Sequence, residues 1–377
     1  MAEDKTFIYA FMGSYMLFGA GVTVIIKSMD VLDFSHPYFQ VTTLFIGEFS
    51  CLFVYLLHKQ YIKSRSKLGK YKVLSSGKPS IPQEGIFKKY GANLFGIPAF
   101  LYLISGSLMY LGLILSAASV YQMIRGLIPI VVAFYSVIFL RRKLFKHQMI
   151  GIGLILVGVI IVGISSLLFQ AWTARHPLIG VIVLVISQLF TGGVLICEEF
   201  LMWKLDINPM QATGVEGMWG FGYSLIFLPI IYFIPCDHSS ACSRGRVEDS
   251  IYAFQQIGDS LSILLLWLGS IFSIAIVYWT GIATTKYTSA LARSTIDTCR
   301  TIFVWVFSIL IGWEDFVWMQ LVGFLLIIGG TIVFNEIIII PFFGLKESVQ
   351  KRREGVLVQS KEEEDRSPNN NVGDMGV

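Results

Sequence analysis

Charge is scarce in this chain: Asp, Glu, Lys and Arg make up 14% of its 377 residues, where soluble domains carry roughly 25%. Catalytic signatures are missing too. The five histidines, His36, His58, His147, His176 and His238, fall in loops or at the ends of apolar runs. No His-Glu-x-x-His, Gly-x-Ser-x-Gly or phosphate-binding glycine-lysine motif occurs. Acid-base chemistry inside the apolar segments would have to run on carboxylates alone, and an enzyme is not expected. The five cysteines, Cys51, Cys197, Cys236, Cys242 and Cys299, have no Cys-x-x-Cys spacing, so neither a metal site nor a cofactor is expected. Cys236 and Cys242 share one loop and are either a disulfide, if that loop faces an oxidising lumen, or two free thiols.

Apolar residues are abundant, at 55% of the chain with a mean hydropathy of +0.68. Uncharged runs cover residues 6–26, 150–170, 178–197, 260–285 and 316–335. Each is long enough to cross a hydrocarbon core about 30 Å thick, which takes about 20 helical residues. No small-residue cleavage pattern follows the first run, which is expected to stay as the first span. Ten helices are expected, near residues 6–27, 38–58, 91–114, 117–140, 148–169, 178–203, 210–234, 261–283, 287–311 and 316–340. The uncharged stretch 90–124 is too long for one span, so a tight turn is expected at 116–119.

An even number of spans puts both termini on one side, and the basic residues can then be counted by side. Of the 29 lysines and arginines, 22 fall on the side of the termini and four on the other (Lys27, Arg175, Arg244 and Arg246), while Arg125, Arg293 and Arg300 lie within spans. The termini are therefore expected in the cytosol. The net charge of +4 follows from this one-sided distribution and is no argument for nucleic acid. The basic loop 59–90 would in addition meet anionic lipid headgroups. The polar tail 344–377 is expected to be disordered.

The chain also repeats itself. A shift of 168 carries Tyr110 onto Tyr278 and Arg125 onto Arg293 within the stretches 105–126 and 273–294. At a shift of 170 Met149 meets Met319 and Gly153 meets Gly323, and one more residue brings Gly158 onto Gly329. This predicts an all-α integral membrane protein with ten transmembrane helices in two inverted five-helix repeats, residues 1–170 and 171–343. Five is odd, so equivalent helices cross in opposite directions. His36-Pro37 and Asn208-Pro209 open the second and seventh spans. Glu48 lies eleven residues after its proline and Glu216 seven after its own, which predicts a difference of about one turn in depth. Glycines 151, 153, 158, 163, 323, 329 and 330 are expected to let helices pack closely.

Buried charge is the functional signal, because one charged side chain at mid-bilayer costs about 2.5–3.5 kcal/mol on the mildest scale. Arg125, Arg293 and Arg300 stand against Glu48, Glu198, Glu199, Glu216 and Asp297. Arg293, Asp297 and Arg300 share one helix face and form either a salt-bridged packing ladder, with Asp297 neutralising its neighbours, or a substrate contact. Arg125 has no acid within four residues and needs a carboxylate from another helix, for which Glu48 is the candidate, or an anionic ligand. Tyr121, Gln122, Tyr278 and Lys286 could add hydrogen bonds or ring contacts. Glu198 and Glu199 are adjacent and cannot share a face. A carboxylate removed from water favours its neutral form, which makes Glu48 or Glu216 the candidate for proton coupling, against structural pairing.

Gly47-Glu-Phe-Ser-Cys-Leu52, Gln122-Met-Ile-Arg-Gly126, Cys197-Glu-Glu-Phe200, Thr213-Gly-Val-Glu-Gly217 and the Arg293, Asp297, Arg300-Thr301 series together resemble the F branch of solute carrier family 35, in the drug/metabolite transporter superfamily. The resemblance runs from about residue 8 to residue 340. It implies two inverted repeats, with spans 4 and 9 lining a central cavity and spans 5 and 10 at the periphery. It also implies a lysosomal or mitochondrial membrane, although Arg353 stands where an acidic dileucine signal before Leu357 would want an acid. It names no solute. The expected function is secondary-active transport of a small polar or charged organic solute by alternating access, either proton-coupled or as an antiporter. The alternative is a non-transporting membrane scaffold that binds a partner protein. A homodimer is left open.

Overall fold

The computed structural model describes residues 2–34, 36–67, 91–115, 124–142, 144–170, 177–235, 245–312, 316–336, 347 and 349–350. Among the described residues the main helices are, in order, α1 (Ala2–Val31), α2 (Pro37–Lys67), α3 (Gly96–Leu115, entered through a short 3-10 turn, Gly91–Phe95), α4 (Ile128–Ile138), α5 (Lys146–Gln170), α6 (Pro177–Leu205), α7 (Pro209–Tyr232), α8 (Leu261–Tyr287), α9 (Ala290–Leu310) and α10 (Trp318–Phe334). Among the described residues the only β pairing is one bridge, Pro235 with Arg246. Among the described residues six helices are long and apolar enough to cross a membrane, within α1, α2, α3, α6, α7 and α8, and the apolar helices Ile128–Ile138, Lys146–Val162 and Trp318–Phe334 are shorter. Helix α9 is polar for its length because it carries Arg293, Asp297 and Arg300. The turn expected at 116–119 and the pair Cys236 and Cys242 lie outside the described residues.

Local chemistry sets the helix ends. Proline stands at the first position of α2, α6 and α7, where its missing N–H costs nothing. Asn208 accepts from the Met210 N–H at 2.9 Å, and Ser289 caps α9 by accepting from the Ala292 N–H at 3.0 Å. Asp206 adopts a left-handed backbone (φ 43°) that turns the chain from α6 into α7. One helix was not expected. Ser250–Asp259, with Asp249 as its cap, joins Met29, Phe34, Phe39 and Ile263 through Ala253 and Ile257 in a small core at the α1–α2 turn.

Helices pair closely. Helix α2 lies on α7, α5 on α10, α3 on α6 and α1 on α8, while α9 touches both α1 and α4, and α4 also packs on α6. Small residues make the tightest seams, as expected where lipid offers no hydrophobic drive between helices. Along α5–α10, Gly151 faces Gly330 and Gly158 faces Gly323; a Cβ at Gly158 would come within 2.6 Å of the Gly323 carbonyl oxygen. Along α2–α7, Gly214, Gly217 and Gly220 meet Leu52, Glu48 with Phe49, and Phe45. Gly153 and Gly329 meet nothing within 4 Å, which corrects their assignment to a seam: they fall on the open side of their helices. The surroundings of Gly163 lie outside the described residues. Large apolar side chains such as Leu17, Ile226, Leu265 and Phe272 stand exposed on the outside, the pattern of a surface whose solvent is lipid.

Candidate functional site

Helix α9 carries the charge into the bundle in two clusters. The first lies near its start. Arg293 Nη1 bonds the Glu198 carboxylate of α6 directly and donates to Thr285 Oγ1 at 3.4 Å, and its guanidinium lies 5.5 Å from the centre of the Tyr15 ring. Gly281 leaves the space for this guanidinium, since a Cβ there would sit 2.9 Å from Arg293 Cζ. Glu48 and Glu216 lie within electrostatic reach of Glu198 and Arg293. Glu48, Glu198 and Glu216 are all buried.

The second cluster lies one to two turns further along α9. Asp297 Oδ1 accepts from Tyr15 Oη at 3.0 Å and from Arg300 Nη1 at 3.2 Å, and Asp297 Oδ2 lies 3.5 Å from Arg125 Nη2. These groups keep some exposure: 23% for the Arg125 side chain, 15% for Asp297 and 10% for Arg300. Tyr15 joins the clusters, with its ring against Arg293 and its hydroxyl on Asp297. The first cluster holds three carboxylates and one guanidinium, whereas the second holds one carboxylate and two. The site is therefore polarised along α9, acid-rich at one end and base-rich at the other.

Two expectations are corrected here. Arg125 finds Asp297, not Glu48. Arg293 is neutralised by Glu198, not by Asp297. Helical side chains lean toward the N-terminus of their own helix, so Arg293 points away from residue 297 and toward α6, while Arg300 leans back onto Asp297. The depth difference expected between Glu48 and Glu216 is also corrected. A Cβ on Gly217 would run into Glu48 and Phe49, so the two acids meet at one level across α2–α7. Their numbers differ by 168, the shift that relates Arg125 to Arg293; the offset from the prolines misled because α2 and α7 run antiparallel, Gly214 meeting Leu52 and Gly220 meeting Phe45, so the two counts start from opposite ends.

Other expected residues have separate places. Glu199 pairs with Arg142 and accepts from the Ala290 N–H at 3.1 Å, so it holds the first turn of α9, where a carboxylate suits the helix dipole. Lys286 ties down the α6–α7 turn through Asp206 (2.8 Å) and the Ile207 carbonyl (2.7 Å), away from both clusters. Tyr278 shares a 2.5 Å hydrogen bond with Tyr102, and its mate Tyr110 donates to Gln40 at 3.4 Å. Tyr121 and Gln122 lie outside the described residues. Tyr15, Tyr102 and Thr285 were not singled out, because a lone tyrosine or threonine in an apolar run reads as packing. Among the described residues no group of His, Cys, Asp and Glu side chains is arranged to hold a metal ion.

Helices of bilayer length packed around charged side chains that bridge helices on the inside define a multi-pass membrane protein. Residues 3–194 match the family model described as nucleotide-sugar transporter. Solute carrier family 35 member F6 of Rattus norvegicus is 34% identical over 344 residues, which cover 85% of this chain and 88% of that protein. An uncharacterized protein of Schizosaccharomyces pombe is 28% identical over 316 residues, covering 84% and 90%. A solved crystal structure superposes with a TM-score of 0.57 at 11% identity over 88% of this chain and 97% of its own, a likeness of fold alone. The chain belongs to the nucleotide-sugar transporter family, within solute carrier family 35. It is a membrane transporter and not an enzyme.

Proposed function

We propose that the protein is a secondary-active transporter that moves a small polar or charged organic solute by alternating access of two inverted halves, residues 1–170 and 171–343. The helix pairing supports the halves. Exchanging α1–α5 with α6–α10 turns the α1–α8 contact into α6–α3 and α1–α9 into α6–α4, and it returns α2–α7, α4–α9 and α5–α10 to themselves. Every one of these contacts is present. Two halves that pack on each other through such exchangeable contacts can trade inward and outward arrangements about one central site.

The observation that carries the reading is the Arg125–Asp297 pair. It joins the chain at the start of α4 to α9, and so one half to the other, at 3.5 Å and with partial exposure. That is longer than the roughly 2.7–2.9 Å of a tight charge-assisted bond. An anionic group on the solute would take Asp297's place between Arg125 and Arg300, and the exchange would loosen the link between the halves. A phosphorylated solute of the kind in the family's description fits a base-rich seat of this type. The basic loops support cytosolic termini, and the resemblance supports an internal membrane such as the lysosome's.

The test is uptake by purified protein in liposomes across a panel of nucleotide sugars, nucleotides and other organic anions. Saturable flux that falls at least tenfold in Arg125→Ala is expected. Absence of saturable flux for any solute would sink the proposal and favour the scaffold alternative, and full flux in the folded Arg125→Ala variant would refute the Arg125–Asp297–Arg300 seat.

A further inference from the structure

The seat for the solute leaves an acidic cluster unused. Glu48 of α2, Glu198 of α6 and Glu216 of α7 are 1%, 1% and 3% exposed, and among the described residues Arg293 is the cation that faces all three. Glu198 holds that cation directly. Glu48 Oε2 and Glu216 Oε2 are fully enclosed and have no hydrogen-bond partner among the described residues. Four ionised groups would leave two uncompensated negative charges in a water-poor interior. Like charges held close together in a water-poor interior repel one another with little screening. A proton on each of the two glutamates removes that charge and supplies a donor for an enclosed oxygen.

Among the described residues, the remaining neighbours of the two acids offer no other cation. Facing the two acids are Cys51 on α2 itself, Cys197 and Glu198 on α6, Tyr278 on α8 and Arg293 on α9, with Tyr102 of α3 and Tyr15 of α1 behind Tyr278 and Arg293. The pair also lies on the α2–α7 contact, which the exchange of halves returns to itself. Under alternating access, rocking one half against the other would present the two acids alternately toward opposite ends of the bundle.

We propose that Glu48 and Glu216 form a two-proton site, one proton on each carboxyl, and that this dyad is the proton-coupling element of the transport cycle, separate from the Arg125–Asp297–Arg300 seat. In the step, each carboxyl O–H bond breaks and its proton passes to water on one side, and the carboxylate takes a proton from the other side after the halves have rocked. The coupling rests on the transporter reading; the proton site does not.

Infrared difference spectra of the full chain in detergent, recorded as pH is raised, test the site directly. A protonated-carboxyl band is expected to disappear, with about half the amplitude in Glu48→Gln or Glu216→Gln and none in the double variant. Folding of each variant is checked by its melting temperature. An unchanged band in the folded double variant would overturn the proposal. In the uptake liposomes, a trapped pH dye should show protons moving with solute for the wild type and none for the double variant; equal proton movement would also overturn it. Loss of the band without any solute flux in the wild type would instead sink the transporter reading and leave the proton site standing.

Discussion

Arg125 and Arg293 stand 168 residues apart in similar stretches of sequence and are held in opposite ways. Arg293 is 4% exposed, clamped by Glu198 and fitted over Gly281. Arg125 is 23% exposed and 3.5 Å from its acid. Breaking a buried ion pair by removing one partner costs about 3–5 kcal/mol, because the other charge stays behind uncompensated. Arg293→Ala should therefore lower the melting temperature in detergent and the yield of folded protein, whereas Arg125→Ala should keep both and lose transport. Equal destabilisation by the two substitutions would refute the distinction. The residue types of the site were legible in the sequence, since any charge inside an apolar run stands out. The pairs were not, because Glu198 and Arg293 are 95 positions apart and only folding brings α6 beside α9.

The helices were legible because the bilayer demands long apolar runs, and their ends follow from proline, asparagine and serine caps. Ser250–Asp259 was hidden because ten residues with a mixed pattern, placed between apolar runs, read as loop. Glycine was legible as a packing signal, but its direction was not, since a seam glycine and an outward one look alike without the neighbouring helix. The α5–α10 contact makes this testable. Gly158→Leu drives a side chain into the Gly323 backbone, while Gly153→Leu enters open space. The first should melt several degrees lower than the wild type and the second should match it, as read by fluorescence-detected size-exclusion after heating. The reverse order would contradict the seam.

At the level of the bundle, the two ends are fastened by different carboxylates. Glu199 holds the start of α9. Glu248 caps α2 by accepting from the Tyr38 and Phe39 N–H groups at 3.0 and 3.3 Å, and it meets His36 Nδ1 at 2.7 Å. His36 Nε2 in turn lies 3.1 Å from Gln256 of the short helix, so this contact seats residues 245–260 over the α1–α2 turn. Glu248→Ala should speed amide hydrogen exchange at Tyr38, Phe39 and residues 250–259 and leave α5 and α10 unchanged. Uniform protection across the short helix in the variant would show that the apolar contacts of Ala253 and Ile257 suffice alone.

Composition and charge pattern were enough to establish a membrane protein and the approximate helix stretches, because a solvent that excludes backbone polar groups and charge leaves its mark on every residue in contact with it. Which acid neutralises which arginine, that Glu48 and Glu216 stand at one level, and that the charged interior splits into an acid-rich and a base-rich end all came from the packing. Those properties depend on distances between helices far apart in the chain. A one-dimensional pattern carries no record of such distances.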